Sequence, residues 1–224
     1  MSQKLEASPK SEIIYPESDG KPMAENTEQF TWIVVIKENL EILFADNADV
    51  FVAGDLLWYP VEGKNKLCQA PDALVVFGRP KGKRGSYKQW EEEDIPPQVV
   101  FEVLSPGNTL KEMAKKLQFY DRYGVEEYYL YDPERIDLNG WQRSDNKLTV
   151  IEEMNGWVSP RLGIRFEMTE SGLEIYRPDG RRFLTPIELD RRAQEAEQQA
   201  QAAQQRIQQL EARLRELGID PEPV

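Results

Sequence analysis

Two carboxylates stand where the surrounding residues make them expensive. Asp72 opens the run "PDALVVF", and Glu102 lies inside "QVVFEVLSPG", where five of the first seven residues are apolar. Burying a carboxylate without a partner costs on the order of several kcal/mol, so Glu102 calls for one. Side chains alternate along a strand, which puts Val100, Glu102 and Leu104 on one face and Val99, Phe101 and Val103 on the other. By the same rule Asp72, Leu74 and Val76 share a face. The two runs are about six residues long and are joined by about twenty polar residues, so they can pair as neighbours and bring Asp72 to Glu102. Two adjacent carboxylates repel unless a proton or a cation lies between them. Mg²⁺ prefers oxygen ligands and keeps several waters, so two carboxylates and a phosphate oxygen suit it.

A cation can come from the next element. Thr109 to Tyr123 reads as a helix, with "TLKE" as a capping box and Gly124 as the stop. With Leu110 set at 0° and 100° per residue, Met113 falls at about 300°, Ala114 at about 40°, Leu117 at about 340° and Tyr120 at about 280°. These residues are the expected buried face. Lys111 and Lys115 point away from it, whereas Lys116, at about 240°, borders it. Lys116 is therefore the lysine placed to reach the preceding strand. The other reading is a stem that follows the face while its amine stays in water.

Composition removes other chemistry. The chain has 224 residues, no histidine and one cysteine, Cys68. That excludes an internal disulfide, a Cys/His zinc site and any His-based nucleophile system. Carboxylate, lysine, tyrosine and hydroxyl chemistry is left. The net charge of −12 gives no overall attraction to nucleic acid, so phosphate binding requires a local site. No run has signal-peptide or membrane-span character, and the expectation is a cytoplasmic protein with no membrane partner.

Four segments are expected: an arm over 1–25, a domain over 26–185, a helix over 186–218 and a tail over 219–224. "IIYP" in the arm is a candidate for pinning to the body. A helix begins at Asn26 or Thr27, with Phe30, Ile33, Val34, Leu40, Leu43 and Phe44 as its apolar stripe. "DVFVAGDLLWYP" reads as one or two strands, and "APDALVVFG" and "PQVVFEVLSP" as strands covered on both faces. "VEEYYLYDP" is a further strand, and Trp141 to Leu184 alternates and turns like antiparallel strands. From Pro186 the pattern changes. Leu189, Ala193, Ala196, Ala200, Ala203, Ile207, Leu210, Leu214 and Leu217 are spaced alternately by four and three, a heptad seam. It serves either a coiled coil between chains, giving a homodimer or homo-oligomer, or a helix folded back on its own domain.

"APDALVVFG", "PPQVVFEVLSPGN" and "KKLQFYDRYGVEEYYLYDPE" together resemble the Uma-two family of endonucleases, common in cyanobacteria, within the PD-(D/E)XK nuclease superfamily. The resemblance covers about residues 14 to 185. It implies an α/β (α+β) restriction-endonuclease-like core, a mixed sheet flanked by helices, acting on DNA with Mg²⁺ or Mn²⁺. Asp72 and Glu102 become the metal-binding, catalytic acids. The parent pattern has its lysine two residues after the glutamate, where this chain has Leu104, and the family variant puts it on the next helix, at Lys116. Relatives often carry a further acidic or polar site residue on the first helix. Glu28 is the candidate here, with Glu25 as second choice, and the other reading of Glu28 is an acid favoured by the helix dipole. Asp55 in "AGDLLWYP" is a candidate metal ligand or a turn residue. Relatives with a histidine near the first helix have no counterpart here. "RPKGKRGSYK" is either a phosphate-touching loop or a solvated one balanced by the following "EEED". Two functions fit the pattern: a Mg²⁺-dependent endonuclease, or a degenerate nuclease scaffold that self-associates through its tail.

Overall fold

The continuous apolar runs become the centre of a sheet. The structure, a computed structural model, describes residues 13–20 and 22–218. The chain divides into two units, one through Phe183 and one from Leu184 on. The residues expected in the arm at 1–12 and 21, and the expected tail at 219–224, lie outside the described residues.

In the first unit the order is α1 (Thr27–Leu43), β1 (Val50–Ala53), β2 (Trp58–Tyr59), β3 (Ala73–Phe77), β4 (Tyr87–Lys88), β5 (Val99–Val103), α2 (Leu110–Arg122) and β6 (Glu127–Asp132). The strands β7 (Asp137–Ser144), β8 (Lys147–Val150), β9 (Arg165–Thr169) and β10 (Gly172–Tyr176) follow. A six-stranded mixed sheet runs β1-β3-β5-β6-β7-β8. Its strands pair antiparallel except β5 with β6, which are parallel and joined through α2. β9 and β10 form a separate antiparallel pair.

Alternation divides the core into two layers. Ala73, Val75, Val99, Phe101, Val103, Tyr129 and Tyr131 pack with Ile33, Val35, Ile36 and Leu40 of α1, and with Phe166, Leu173 and Ile175 from β9 and β10. Leu74, Val76, Val100, Tyr128 and Leu130 face the other way, against Phe119 and Tyr120 of α2. Each large side chain buried this way contributes roughly 1.5–3 kcal/mol. Glu102 shares the parity of Val100, so its carboxylate is delivered to the α2 layer.

Both helices are rotated from the expected faces. α1 starts at Asn26, whose side chain accepts from Gln29 N. It buries Gln29, Ile33, Val35, Ile36, Asn39 and Leu40, while Phe30 is 48% exposed. Gln29 and Asn39 can sit on the core row because both are hydrogen-bonded, Asn39 to Val35 O at 2.8 Å and to the Arg177 guanidinium at 3.2 Å. On α2 the expected zero point, Leu110, is 88% exposed and Ala114 is exposed too. The buried face is built on Met113, Lys116, Leu117, Phe119, Tyr120 and Tyr123. Three aromatic rings around Trp58 set that rotation: Phe119, Tyr120 and Tyr123 all lie within 6.4 Å of its ring centroid. Lys116 thereby moves from the border of the face to its middle. Thr109 caps α2 by accepting from Glu112 N, but the reciprocal half of the expected capping box is not made, and Glu112 turns to a cleft instead.

"IIYP" is held. Tyr15 packs its ring on Tyr59 and Trp90, and the Tyr59 hydroxyl donates to Pro16 O at 2.7 Å. The basic loop is largely neutralised within the fold. Arg79 and Arg84 pair with Glu92, Arg79 also pairs with Glu93, and Lys88 pairs with Glu91. The Lys81 amine caps the end of α1 at Phe44 O and Ala45 O. The balanced reading of that segment is the one the fold uses.

In the second unit α3 (Pro186–Glu216) is one 31-residue helix with none of its residues buried. Thr185 and Glu188 form a full capping box at its start, and Gly218 follows its end at φ 75°. Among the described residues no helix is long and apolar enough to cross a membrane.

Candidate active site

Glu102 is 3% exposed and both its oxygens are taken. Lys116 Nζ donates to Oε2 at 2.7 Å, and the Tyr120 hydroxyl makes a short bond to Oε1. Lys116 and Tyr120 are four residues apart, so they share one face of α2 and close on the carboxylate together. Burial is the largest influence on the Lys116 ammonium and lowers its pKa. The charge and hydrogen bond of Glu102, with Asp72 and Glu112 behind them, outweigh it, and the net shift is upward. Burial, then the Glu102 charge, hold the Tyr120 phenol well above its ordinary value. In the sequence Tyr120 is the fourth residue after Lys116, and its bond to Glu102 depends on the rotation of α2 that buries both.

Asp72 comes from the neighbouring strand. Ala73 is paired with Phe101, so one step further sets Asp72 across from Glu102. Asp72 Oδ2 accepts from Val103 N at 2.6 Å. Burial first, and the Glu102 charge second, push the Asp72 carboxyl well above its ordinary value, against the opposing pull of Val103 N–H and Lys116. Asp55 stands beside it on a left-handed turn at φ 49°, which aspartate tolerates better than most residues. Its backbone N–H reaches Pro71 O at 3.1 Å. Burial raises the Asp55 carboxyl as well, with Asp19 and Glu102 adding to the effect.

These groups surround a cleft of about 140 Å³. Asp72, Asp55, Glu25, Asp19 and Glu112 bring carboxylates to its lining, and Lys116 brings an ammonium. Glu102 sits behind Lys116 and does not reach the lining. Glu28 does not line the cleft either: it is exposed on the first turn of α1, and its charge acts on Tyr131. Gln29, in the first turn of α1, and Glu25, just ahead of the helix, are the residues that reach the cleft there. Gln29 was missed by sequence reasoning. Its signal was a polar residue in register with Ile33, Ile36 and Leu40. Its amide donates to Val103 O and accepts from Glu25 N, both at 2.8 Å. The Glu25 carboxylate accepts from Ser105 Oγ at 2.5 Å and fills the space a Cβ on Gly107 would need. The "SPGN" turn is thus fastened to the segment ahead of α1.

Among the described residues no three His, Cys, Asp or Glu side chains are gathered into a metal cage. A hydrated divalent ion needs less: one or two carboxylates, with water and substrate oxygens filling the other positions. Asp72, partly buried, and Asp55, exposed, both line the cleft and are both repelled by neighbouring acids, and they are oxygen donors of that kind. The donor set therefore fits a hard, hydrated cation and does not suit zinc.

The Uma2 family model, described as "Putative restriction endonuclease", matches residues 5–171. No curated protein matches the chain. Among solved structures the chain is similar to "a putative nuclease belonging to DUF820" from Anabaena variabilis. The identity is 14%, over 60% of this chain and 72% of that one, with a TM-score of 0.45.

Proposed function

The chain belongs to the Uma2 restriction-endonuclease family, and from that premise we propose that it hydrolyses DNA phosphodiester bonds with Mg²⁺, or Mn²⁺ in its place. The observation that carries the reading is the Lys116 ammonium held between Glu102 and the Asp72 cleft. Asp72 and Asp55 would hold the ion, while Glu102, which does not reach the cleft, would hold Lys116 in place. A divalent ion there would supply Lewis acidity toward a phosphoryl oxygen and toward a water.

The chain's own residues do the rest. Lys116 offers a positive charge where negative charge grows on the phosphoryl oxygens, or orients the attacking water. Tyr120 holds the far oxygen of Glu102, which fixes the direction from which Lys116 is gripped. Gln29 ties down the Val103 carbonyl, and the Val103 N–H orients Asp72. A cleft with five carboxylates repels a phosphodiester, so binding as well as chemistry depends on the cation.

The second reading, a catalytically degenerate scaffold, is favoured by one feature: both oxygens of Glu102 are already bonded within the protein. Nicking of supercoiled plasmid with Mg²⁺ or Mn²⁺ decides between them. Wild type is expected to nick, and Asp72→Ala and Glu102→Gln to be inactive while still folded. Lys116→Met is expected to lose about 10²–10³ in rate. Cleavage that survives in the Asp72→Ala/Glu102→Ala double variant defeats the nuclease assignment to this site. No nicking, together with no metal-dependent rise in melting temperature, supports the scaffold.

A further inference from the structure

The apolar seam of α3 is open along the helix. No residue of α3 is buried, and Ile207, Leu210 and Leu217 are 49%, 48% and 69% exposed. Helices in proteins owe most of their stability to packing an apolar face, so a seam of four heptads calls for a partner. In heptad terms Ile207 and Leu214 occupy a positions, and Leu189, Leu210 and Leu217 occupy d. Ile at a with Leu at d is the two-stranded preference; Ile207 and the three d leucines follow it, Leu214 departs from it, and alanine fills the a and d positions from Ala193 to Ala203.

The flanking charges identify the partner and its direction. The g positions are Arg192, Gln199, Arg206 and Arg213. The e positions are Asp190, Glu197, Gln204 and Glu211. One flank of the seam therefore carries only Arg and Gln, and the other only Asp, Glu and Gln. Within a single chain these acids have solvent-exposed partners on their own helix. Asp190 bonds Gln194 at 2.7 Å, Glu197 bonds Gln201 at 3.4 Å, and Glu211 lies 3.8 Å from Arg215.

We infer that α3 binds α3 of a second copy as a parallel, in-register coiled coil. In that arrangement each g residue meets the e residue five positions on in the partner. Arg192 then meets the partner's Glu197, Gln199 the partner's Gln204, and Arg206 the partner's Glu211. Each charged pair is attractive and occurs twice by symmetry. An antiparallel pair sets g against g and e against e, arginine on arginine and acid on acid. The charge pattern rejects it. The alanines in the first half of the seam let the two helices approach closely there. Parallel pairing also brings the amino-terminal ends of both helices together, so both nuclease-like units are tethered at the same end of the coil.

The test uses the full chain and does not depend on nuclease activity. Light scattering is expected to give twice the 25.9 kDa chain mass at micromolar concentration. Leu210→Asp/Leu214→Asp is expected to be monomeric, and folded by the near-ultraviolet circular dichroism of its first unit. In a Cys68→Ala background, Leu217→Cys is expected to cross-link to itself on mild oxidation. In an antiparallel pair those two positions lie about 42 Å apart, from a rise of about 1.5 Å per residue. Arg192→Glu/Arg206→Glu is expected to weaken the dimer at least tenfold, and adding Glu197→Arg/Glu211→Arg to restore it to within about threefold. A monomeric wild type, a dimer that survives Leu210→Asp/Leu214→Asp, or Leu189→Cys pairing with Leu217→Cys instead of with itself each overturns the inference.

Discussion

Lys116 Nζ stands 2.7 Å from Glu102 Oε2, on a carboxylate that is 3% exposed. The pair answers how an acid survives in the middle of an apolar strand. Two charges taken out of water cost several kcal/mol each, and only close geometry with further hydrogen bonds offsets that. Tyr120 supplies the further bond.

Removing the cation leaves a buried charge behind. Lys116→Met, which keeps the stem, is expected to cost about 3 kcal/mol of stability, seen as a fall of about 6–12 °C in melting temperature. The folded pKa of Lys116 is raised above its ordinary 10.5. Its contribution is therefore complete below pH 10.5 and is lost as pH rises through the raised value. The difference between wild type and Lys116→Met should shrink only on that alkaline side. A difference that vanishes between pH 6 and 9 contradicts the pairing.

Asp72 has the opposite sign. Its folded pKa lies above the ordinary 3.8, because burial and then the Glu102 charge oppose ionisation in the folded state. Stability falls as pH rises from 3.8 toward the raised value. In metal-free buffer Asp72→Asn should raise the melting temperature at pH 7, by about 2–4 °C for each kcal/mol relieved. The gain should fade as pH drops toward 4. Urea melts at pH 4 and 7 check both the sign and the window.

Metal binding should reverse that penalty. Mg²⁺ or Mn²⁺ at a hundredfold excess over its dissociation constant stabilises the wild type by about 2.7 kcal/mol. Asp72→Asn should show little of this shift. Equal shifts in both proteins would move the ion away from Asp72.

The acids in and just ahead of the first helix are separable. Glu28→Ala should change cleavage less than about twofold, because Glu28 is exposed away from the cleft. Glu25→Ala should reduce cleavage and release the "SPGN" turn, since it frees the Ser105 hydroxyl and the pocket over Gly107. Gln29→Ala should cost about 1–3 kcal/mol by leaving the Val103 carbonyl unpaired. Rates and urea midpoints for the three variants decide the ranking.

A second buried carboxylate serves as a structural control. Glu127 is 1% exposed, and it accepts from Tyr129 Oη at 2.9 Å, from Arg161 N at 2.8 Å and from Ser159 Oγ. Glu127→Leu strands three donors and should cost about 3 kcal/mol or more in a urea melt. Because Glu127 is not among the residues lining the cleft, cleavage well below the new melting temperature should persist.

Local patterns in the chain determined much of this protein. Alternation placed Glu102 and Asp72 on the faces they occupy, and continuous apolar runs announced strands covered on both sides. Asn26, Thr109, Gly124 and the heptad spacing marked helix ends and the tail. Each of these depends on residues a few positions apart, so the sequence carries it directly. Tertiary packing decided the rest. Which face of α2 turns inward depended on the aromatic cluster around Trp58, contributed from far along the chain. That rotation exposed Leu110 and put Lys116 onto Glu102. Likewise, the choice of Glu25 and Gln29 over Glu28 rested on where the segment ahead of α1 meets the turn after β5, a contact across 80 residues between Glu25 and Ser105. A helical wheel gives relative angles only. The sheet against which the helix packs supplies the zero.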